Sequence, residues 1–234
     1  MLGGEDWLQD PLMGISKGSY KPRKLKSPAD KQNDLWHIFH VATRLKLNGA
    51  AYFCRQVVGV ASMPDDVGLP LLAYSQLKWY LDAFFFELMS AYETLLQELN
   101  IVYAYDLGLQ PKQVRWDTRE GRLKGKLGDR LPERLAKCMK EQRGEDWFKN
   151  VCEYRNMAAH YHYIPTDSVT MRRGKGLCGY GESLTYIYYF DDVGVQRREN
   201  IGYCKTHLES MAKHIQQVWK EMAQEFQQGV LEGC

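Results

Sequence analysis

From Asp34 onward, apolar residues recur at helical spacing. Leu35, Ile38, Ala42, Leu45 and Tyr52 follow steps of three and four, apart from the gap spanned by Gly49. This places them on one face of a 3.6-period helix. Met63-Pro64-Asp65-Asp66 predicts its end, because Pro64 cannot continue a helix. A second helix is predicted from about Pro70 to Tyr103, with the stripe Leu77, Leu81, Phe84, Leu88, Tyr92, Leu95 and Leu99. Phe84-Phe85-Phe86 makes it apolar over more than one face, which points to a central position and puts Glu87 and Glu93 on or near a buried surface. A short helix is expected from about Pro132 to Gln142, Pro132 suiting a first turn. Asp146 is placed to cap a further helix from Trp147 to about Tyr163, stopped by Pro165. The period then changes. Ser168 to Met171 and Ser183 to Phe190 read as extended, with glycines 174, 176, 179 and 181 for turns, so a β-hairpin insertion is expected at about 166–192. A last helix, about Asn200 to Gln228, alternates steps of three and four through Ile201, Cys204, Leu208, Met211, Ile215, Val218 and Met222. Such regularity predicts a long amphipathic helix on a partner helix, in the same chain or across a dimer.

The fold class this predicts is mainly α, an antiparallel helical bundle with a small β-hairpin insertion before the C-terminal helix. Residues 31–234 would form that domain. Residues 1–30, rich in Gly and Pro and carrying Lys17, Lys21, Arg23, Lys24 and Lys26, read as a flexible basic arm. Composition narrows the class. A hydrophobic fraction of 44% supports a core, and a net charge of +2 excludes a disordered or supercharged chain. No apolar run reaches the roughly 20 residues a membrane helix needs, and Met1 to Asp10 carries acids where an export signal carries Lys or Arg. A cytoplasmic protein is expected, with no membrane partner. The six cysteines form no CxxC pair, so they read as reduced thiols rather than zinc ligands or a disulfide framework. His37 and His40 have the spacing of two metal ligands but lack a third, and no metal or other cofactor is assigned. His207 and His214 are expected to face solvent or a helix seam. The Tyr186 to Phe190 run could stack bases, but reads better as a strand packed on helices.

Charge is balanced overall but not locally. Between Gln110 and Arg143 there are eleven Lys and Arg against five Asp and Glu, so this stretch is either a solvated connector or a polyanion-facing surface. Lys112, Arg115, Arg119, Arg122, Lys124 and Lys126 are its candidate polyanion contacts.

The string with chemical content is Cys152-Glu153-Tyr154-Arg155-Asn156-Met157-Ala158-Ala159-His160-Tyr161-His162-Tyr163. At about 100° per residue, Arg155 and His160 lie about 140° apart, whereas Asn156 and His160 share a face, as Arg155 and His162 nearly do. Ala158 and Ala159 permit the close approach of another helix. These groups suit cleavage of RNA without a metal. The ribose 2′-OH attacks phosphorus, an imidazole moves the proton, and a guanidinium binds the non-bridging oxygens with paired donors. Asn156 can fix the imidazole tautomer or bond the phosphate. One helix supplies few such groups, so two copies about a two-fold axis would complete the site. The plain alternatives are an Arg155 paired with Glu153 or Glu87, and a His160 satisfied within the core.

The run Arg155-Asn156-Met157-Ala158-Ala159-His160 resembles the Arg-x4-His signature of the HEPN superfamily, with a polar residue directly after the Arg. The resemblance implies an all-helical domain, a homodimer with both motifs at the interface, and metal-independent endoribonuclease activity. Arg155, Asn156 and His160 would be catalytic and His162 auxiliary. It further implies a toxin–antitoxin or antiviral-defence role, with an antitoxin or a nucleotidyltransferase as possible partner. The subgroup with His-x-Tyr has its tyrosine position occupied here by His162. The alternative function is a non-catalytic HEPN-like module that binds a nucleotide or a protein partner.

Overall fold

The computed structural model describes residues 11–12, 29–61, 71–104, 116–117, 122–123, 127–160, 166–171, 182–191 and 194–231; in the strands and at several helix ends the backbone path alone is described. The elements are α1 (Ala29–Ala61), α2 (Leu71–Tyr103), β1 (Trp116–Asp117), β2 (Arg122–Leu123), α3 (Leu127–Arg130), α4 (Glu133–Gly144), α5 (Asp146–His160), β3 (Thr166–Met171), β4 (Glu182–Asp191), β5 (Gly194–Glu199) and α6 (Asn200–Leu231). Helices dominate the described residues. Three antiparallel strands, in the order β3-β4-β5, precede α6. This corrects the expected two-stranded hairpin. β4 pairs with β3 from Thr166↔Ile187 to Met171↔Glu182, and with β5 from Tyr186↔Glu199 to Asp191↔Gly194. The third strand, Gly-Val-Gln-Arg-Arg-Glu, has no apolar alternation to announce it. It is a strand because the aromatic half of β4 offers it a ladder.

The chain forms two compact units. Unit one is Met1–Lys46, Ser90–Lys149 and Ser210–Cys234; unit two is Leu47–Met89 and Asn150–Glu209. α1, α2, α5 and α6 each contribute a segment to both.

In unit one, α2 and α6 run in the same direction, since Tyr92 stacks on His214 and Glu98 bonds Trp219. The core is Leu95, Leu96, Leu99, Ile101, Leu135, Met139, Phe148, Met211, Ile215, Val218, Trp219 and Met222. At its centre lies a carboxylate. Glu98 is fully buried and accepts from His40 Nδ1 at 3.0 Å, from Trp219 Nε1 at 3.1 Å and from the Thr43 hydroxyl. The His40 ring is held on Trp36 (5.1 Å between centroids) and against Trp219 (4.7 Å). A buried carboxylate persists only when its lone pairs are met, and here three donors from two other helices meet them. The buried acid is therefore Glu98, whereas Glu87 is half-buried and Glu93 exposed. Leu12, within the expected flexible arm, is buried at 2% exposure.

In unit two, α1 and α5 each lie antiparallel to α2. Phe53 meets Tyr80 and Gly49 abuts Glu87 on the α1 side; Phe85 meets Tyr154 and Met89 meets Cys152 on the α5 side. The helices approach closely there: a Cβ on Gly49 would stand 3.1 Å from Glu87 Oε2. Cys54 and Cys204 are buried near one another. Burial pushes the Cys54 thiol up to about 11 and Cys204 well above its ordinary value, so both are unreactive thiols.

The stripe read on α2 is buried as expected, and so is that on α6 from Cys204 to Met222; the Ile201 side chain lies outside the described residues. The stripe read on α1 is not. Ile38, Leu45 and Tyr52 are 59%, 64% and 49% exposed, while the buried face runs through His40, Thr43, Leu47, Ala50, Ala51, Cys54 and Val57. α1 has apolar residues on two faces, and the face with small residues and a hydrogen-bonding histidine won the core. Asp146 is also corrected. It opens α5 as an exposed first-turn acid, salt-bridged to Lys149 at 3.1 Å, and favours the helix by charge rather than as a cap. Of the two positions expected for His207 and His214, the helix seam holds: they are buried at 2% and 1%, with their rings against Phe85 and Tyr92 of α2.

Candidate active site

α5 is fixed by what it buries. Tyr154 has no exposed surface; its ring lies 4.7 Å from Phe85 and meets Tyr203 edge-on at 6.4 Å. One turn earlier, Asn150 Nδ2 donates to the Tyr203 hydroxyl at 3.2 Å. Cys152 Sγ lies 4.0 Å from Met89 Sδ. His207 adds a third ring beside Phe85 and Tyr203. Burying side chains of this size contributes about 1.5–3 kcal/mol each. With Val151 and Tyr154 turned inward, the helical period carries the positions of Asn156 and His160 to the opposite side.

Asn156 is exposed and Arg155 half-buried. Arg155 Nη1 donates to Asn156 Oδ1 at 3.3 Å, so the structure brings these two predicted residues together. α5 continues unbroken to His160. The helical offset between Arg155, Asn156 and His160 used in the sequence argument therefore holds along the backbone; the His160 side chain lies outside the described residues. So do His162, Lys112, Arg115, Arg119, Lys124 and Lys126. Arg122 opens β2, where its Cα partner is Asp117. Among the described residues, no group of three His, Cys, Asp or Glu side chains converges as metal ligands; His37 is exposed, while His40 is engaged by Glu98.

A family model described as Cthe2314-like HEPN matches residues 40–229. That span covers most of the chain, from α1 to the end of α6. The chain belongs to the HEPN superfamily. No curated protein and no solved structure matches this HEPN chain. Within the HEPN domain, the Arg-x4-His string occupies the second half of α5, on a helix anchored by aromatic packing. Sequence reasoning missed the anchors Asn150, Tyr154, Tyr203 and His207. The first two lie at i, i+4 on α5 and the last two at i, i+4 on α6, a pairing of polar and aromatic stripes that was the available signal. Among the described residues, no helix is long and apolar enough to cross a membrane.

Proposed function

We propose that this HEPN domain is a metal-independent endoribonuclease that works as a homodimer. The observation that carries the proposal is Arg155 joined to exposed Asn156 on a rigidly seated helix that carries His160 one turn further on. In the reaction, the ribose 2′-oxygen forms a bond to the adjacent phosphorus and the bond to the 5′-oxygen breaks. The products are a 2′,3′-cyclic phosphate and a 5′-hydroxyl. One imidazole accepts the 2′-OH proton and another delivers a proton to the departing oxygen, so the two His160 of a dimer divide the roles. Arg155 binds the non-bridging oxygens and offsets the charge that grows on them. Asn156 orients the Arg155 guanidinium or the phosphate, and His162 is auxiliary. The basic residues Lys112, Arg115, Arg119, Arg122, Lys124 and Lys126 contact the RNA backbone, which makes binding fall as salt rises. A toxin or antiviral-defence role, held silent by an antitoxin or modified by a nucleotidyltransferase, fits a nuclease whose substrate is the cell's own RNA.

The test is incubation of the purified protein with mixed RNA in EDTA. Cleavage with cyclic-phosphate ends, lost in His160→Ala and Arg155→Ala while both variants keep their helical spectrum, supports the reading. Full cleavage by His160→Ala overturns it.

A further inference from the structure

α1 has a second apolar face, and it is exposed. Ile38, Val41, Leu45 and Tyr52 are 59%, 37%, 64% and 49% exposed. They lie opposite the side that buries His40, Thr43, Leu47 and Cys54. Asp34, Asn48 and Arg55 are exposed along the same side of the helix. From Asp34 to Arg55 these seven positions alternate steps of four and three, the spacing of a coiled-coil seam. α1 is unbroken over all of them. One apolar stripe is enough to seat a helix in its own core. A second one, contiguous and in water, marks a surface that another molecule covers.

We propose that this stripe is the docking surface for a second copy of the chain, with the two α1 helices antiparallel about a two-fold axis at Leu45. The order of residues selects that occupant. Ile38 lies seven residues before Leu45 and Tyr52 seven after it. Reversal about Leu45 therefore sets the two Leu45 side chains on each other and each Ile38 against the partner's Tyr52. Val41 and Asn48, four before and three after, come side by side in the same way. A contact between identical surfaces requires such self-complementarity, whereas a partner of another sequence gives α1 no reason to read alike in both directions. Charge fixes the orientation. Asp34 stands at one end of the stripe and Arg55 at the other, so antiparallel copies set carboxylate against guanidinium at both ends. Parallel copies would set like against like, which disfavours that pairing. Asn48, polar within an apolar seam, penalises other registers. At about 1.5 Å per residue the stripe is about 30 Å long on a helix about 10 Å across. Two such faces bury on the order of 1,000–1,200 Å², the lower end of specific interfaces, which fits a concentration-dependent assembly. The inference goes beyond the proposed nuclease: α1 carries none of Arg155, Asn156 and His160, and the pairing stands or falls on association rather than on cleavage.

The experiment is sedimentation velocity, over a range of concentrations, on the full chain, on Ile38→Glu/Leu45→Glu and on Lys140→Glu, an exposed charge reversal on α4. Each is checked by circular dichroism. The expected result is a self-associating wild type whose mass is halved in Ile38→Glu/Leu45→Glu and unchanged in Lys140→Glu. A charge exchange tests the orientation with the apolar seam left intact. Asp34→Arg and Arg55→Asp should each self-associate about tenfold more weakly than wild type, and their mixture should recover, because each then meets the opposite charge at both ends. A wild-type chain that stays monomeric across concentrations overturns the proposal. So does an Ile38→Glu/Leu45→Glu chain of wild-type mass, or a mixture that associates no better than its two components alone. A halved mass in a protein that yields no RNA product supports the α1 pairing and counts against the nuclease reading alone. Cleavage by a wild-type chain whose mass the α1 variant leaves unchanged does the reverse.

Discussion

Glu98→Ala isolates the polar centre of unit one. In the native chain, one carboxylate with no exposed surface answers His40 Nδ1, Trp219 Nε1 and the Thr43 hydroxyl. Thr43 also has the Phe39 carbonyl at 3.0 Å, so its donor has somewhere to turn. His40 and Trp219 are 5% and 0% exposed, which keeps water from replacing the acid. Two stranded donors at about 1–3 kcal/mol each give a loss of about 4 kcal/mol, the range seen when one partner of a buried pair is removed. Against a total stability of about 5–15 kcal/mol, this is a large fraction. With a urea slope of about 3 kcal/mol per molar, the midpoint falls by about 1.3 M, and circular dichroism reports the transition in every variant. Combining Glu98→Ala with Trp219→Phe should cost less than the sum of the two, by about 1 kcal/mol or more, because both remove the same hydrogen bond. A midpoint shift below about 0.3 M, or strict additivity, refutes the reasoning.

Further expectations follow from the same packing. Burial pulls His214 from its ordinary 6.5 down to about 4, with neither ring nitrogen hydrogen-bonded among the described residues. Between those values the unfolded chain binds the proton and the folded chain does not. Stability therefore rises with pH across the window and is lost as pH falls from 6.5 toward 4, by about 3 kcal/mol. Urea midpoints measured across that range should fall less steeply in His214→Leu; an unchanged slope contradicts the assignment. Tyr154→Ala should lower stability by about 3–5 kcal/mol by emptying the space between Phe85 and Tyr203, and a melting temperature equal to wild type would show that α5 is seated otherwise. Gly49→Val should destabilise by about 1–3 kcal/mol, since even a Cβ stands 3.1 Å from Glu87; a chemical-denaturation midpoint at or above wild type argues against close packing there.

The sequence made α2 and α6 legible because each has a single dominant apolar stripe, from Leu77 to Leu99 and from Cys204 to Met222. It misled on α1, where Ile38, Leu45 and Tyr52 have the better periodicity but His40, Thr43 and Ala50 have the partners. Hydrophobicity alone does not rank a histidine that will meet a buried acid 58 residues away. The same long-range contact hid Glu98 behind the more conspicuous Glu87 and Glu93. β5 was illegible because its pairing with β4, not its own composition, makes it a strand. For the site, Arg155 and Asn156 were readable from local spacing. The aromatic seat beneath them joins α2, α5 and α6, and no local pattern specifies which rings meet.

The central claim, that Arg155 and His160 cleave RNA without a metal, is tested most directly by one comparison. Wild-type and His160→Ala proteins are given the same RNA in excess EDTA, and the ends of the products are identified. The account predicts 2′,3′-cyclic phosphate ends from wild type and a rate at least about 100-fold lower in His160→Ala. Equal rates in the two proteins, or wild-type cleavage that EDTA abolishes, would contradict it.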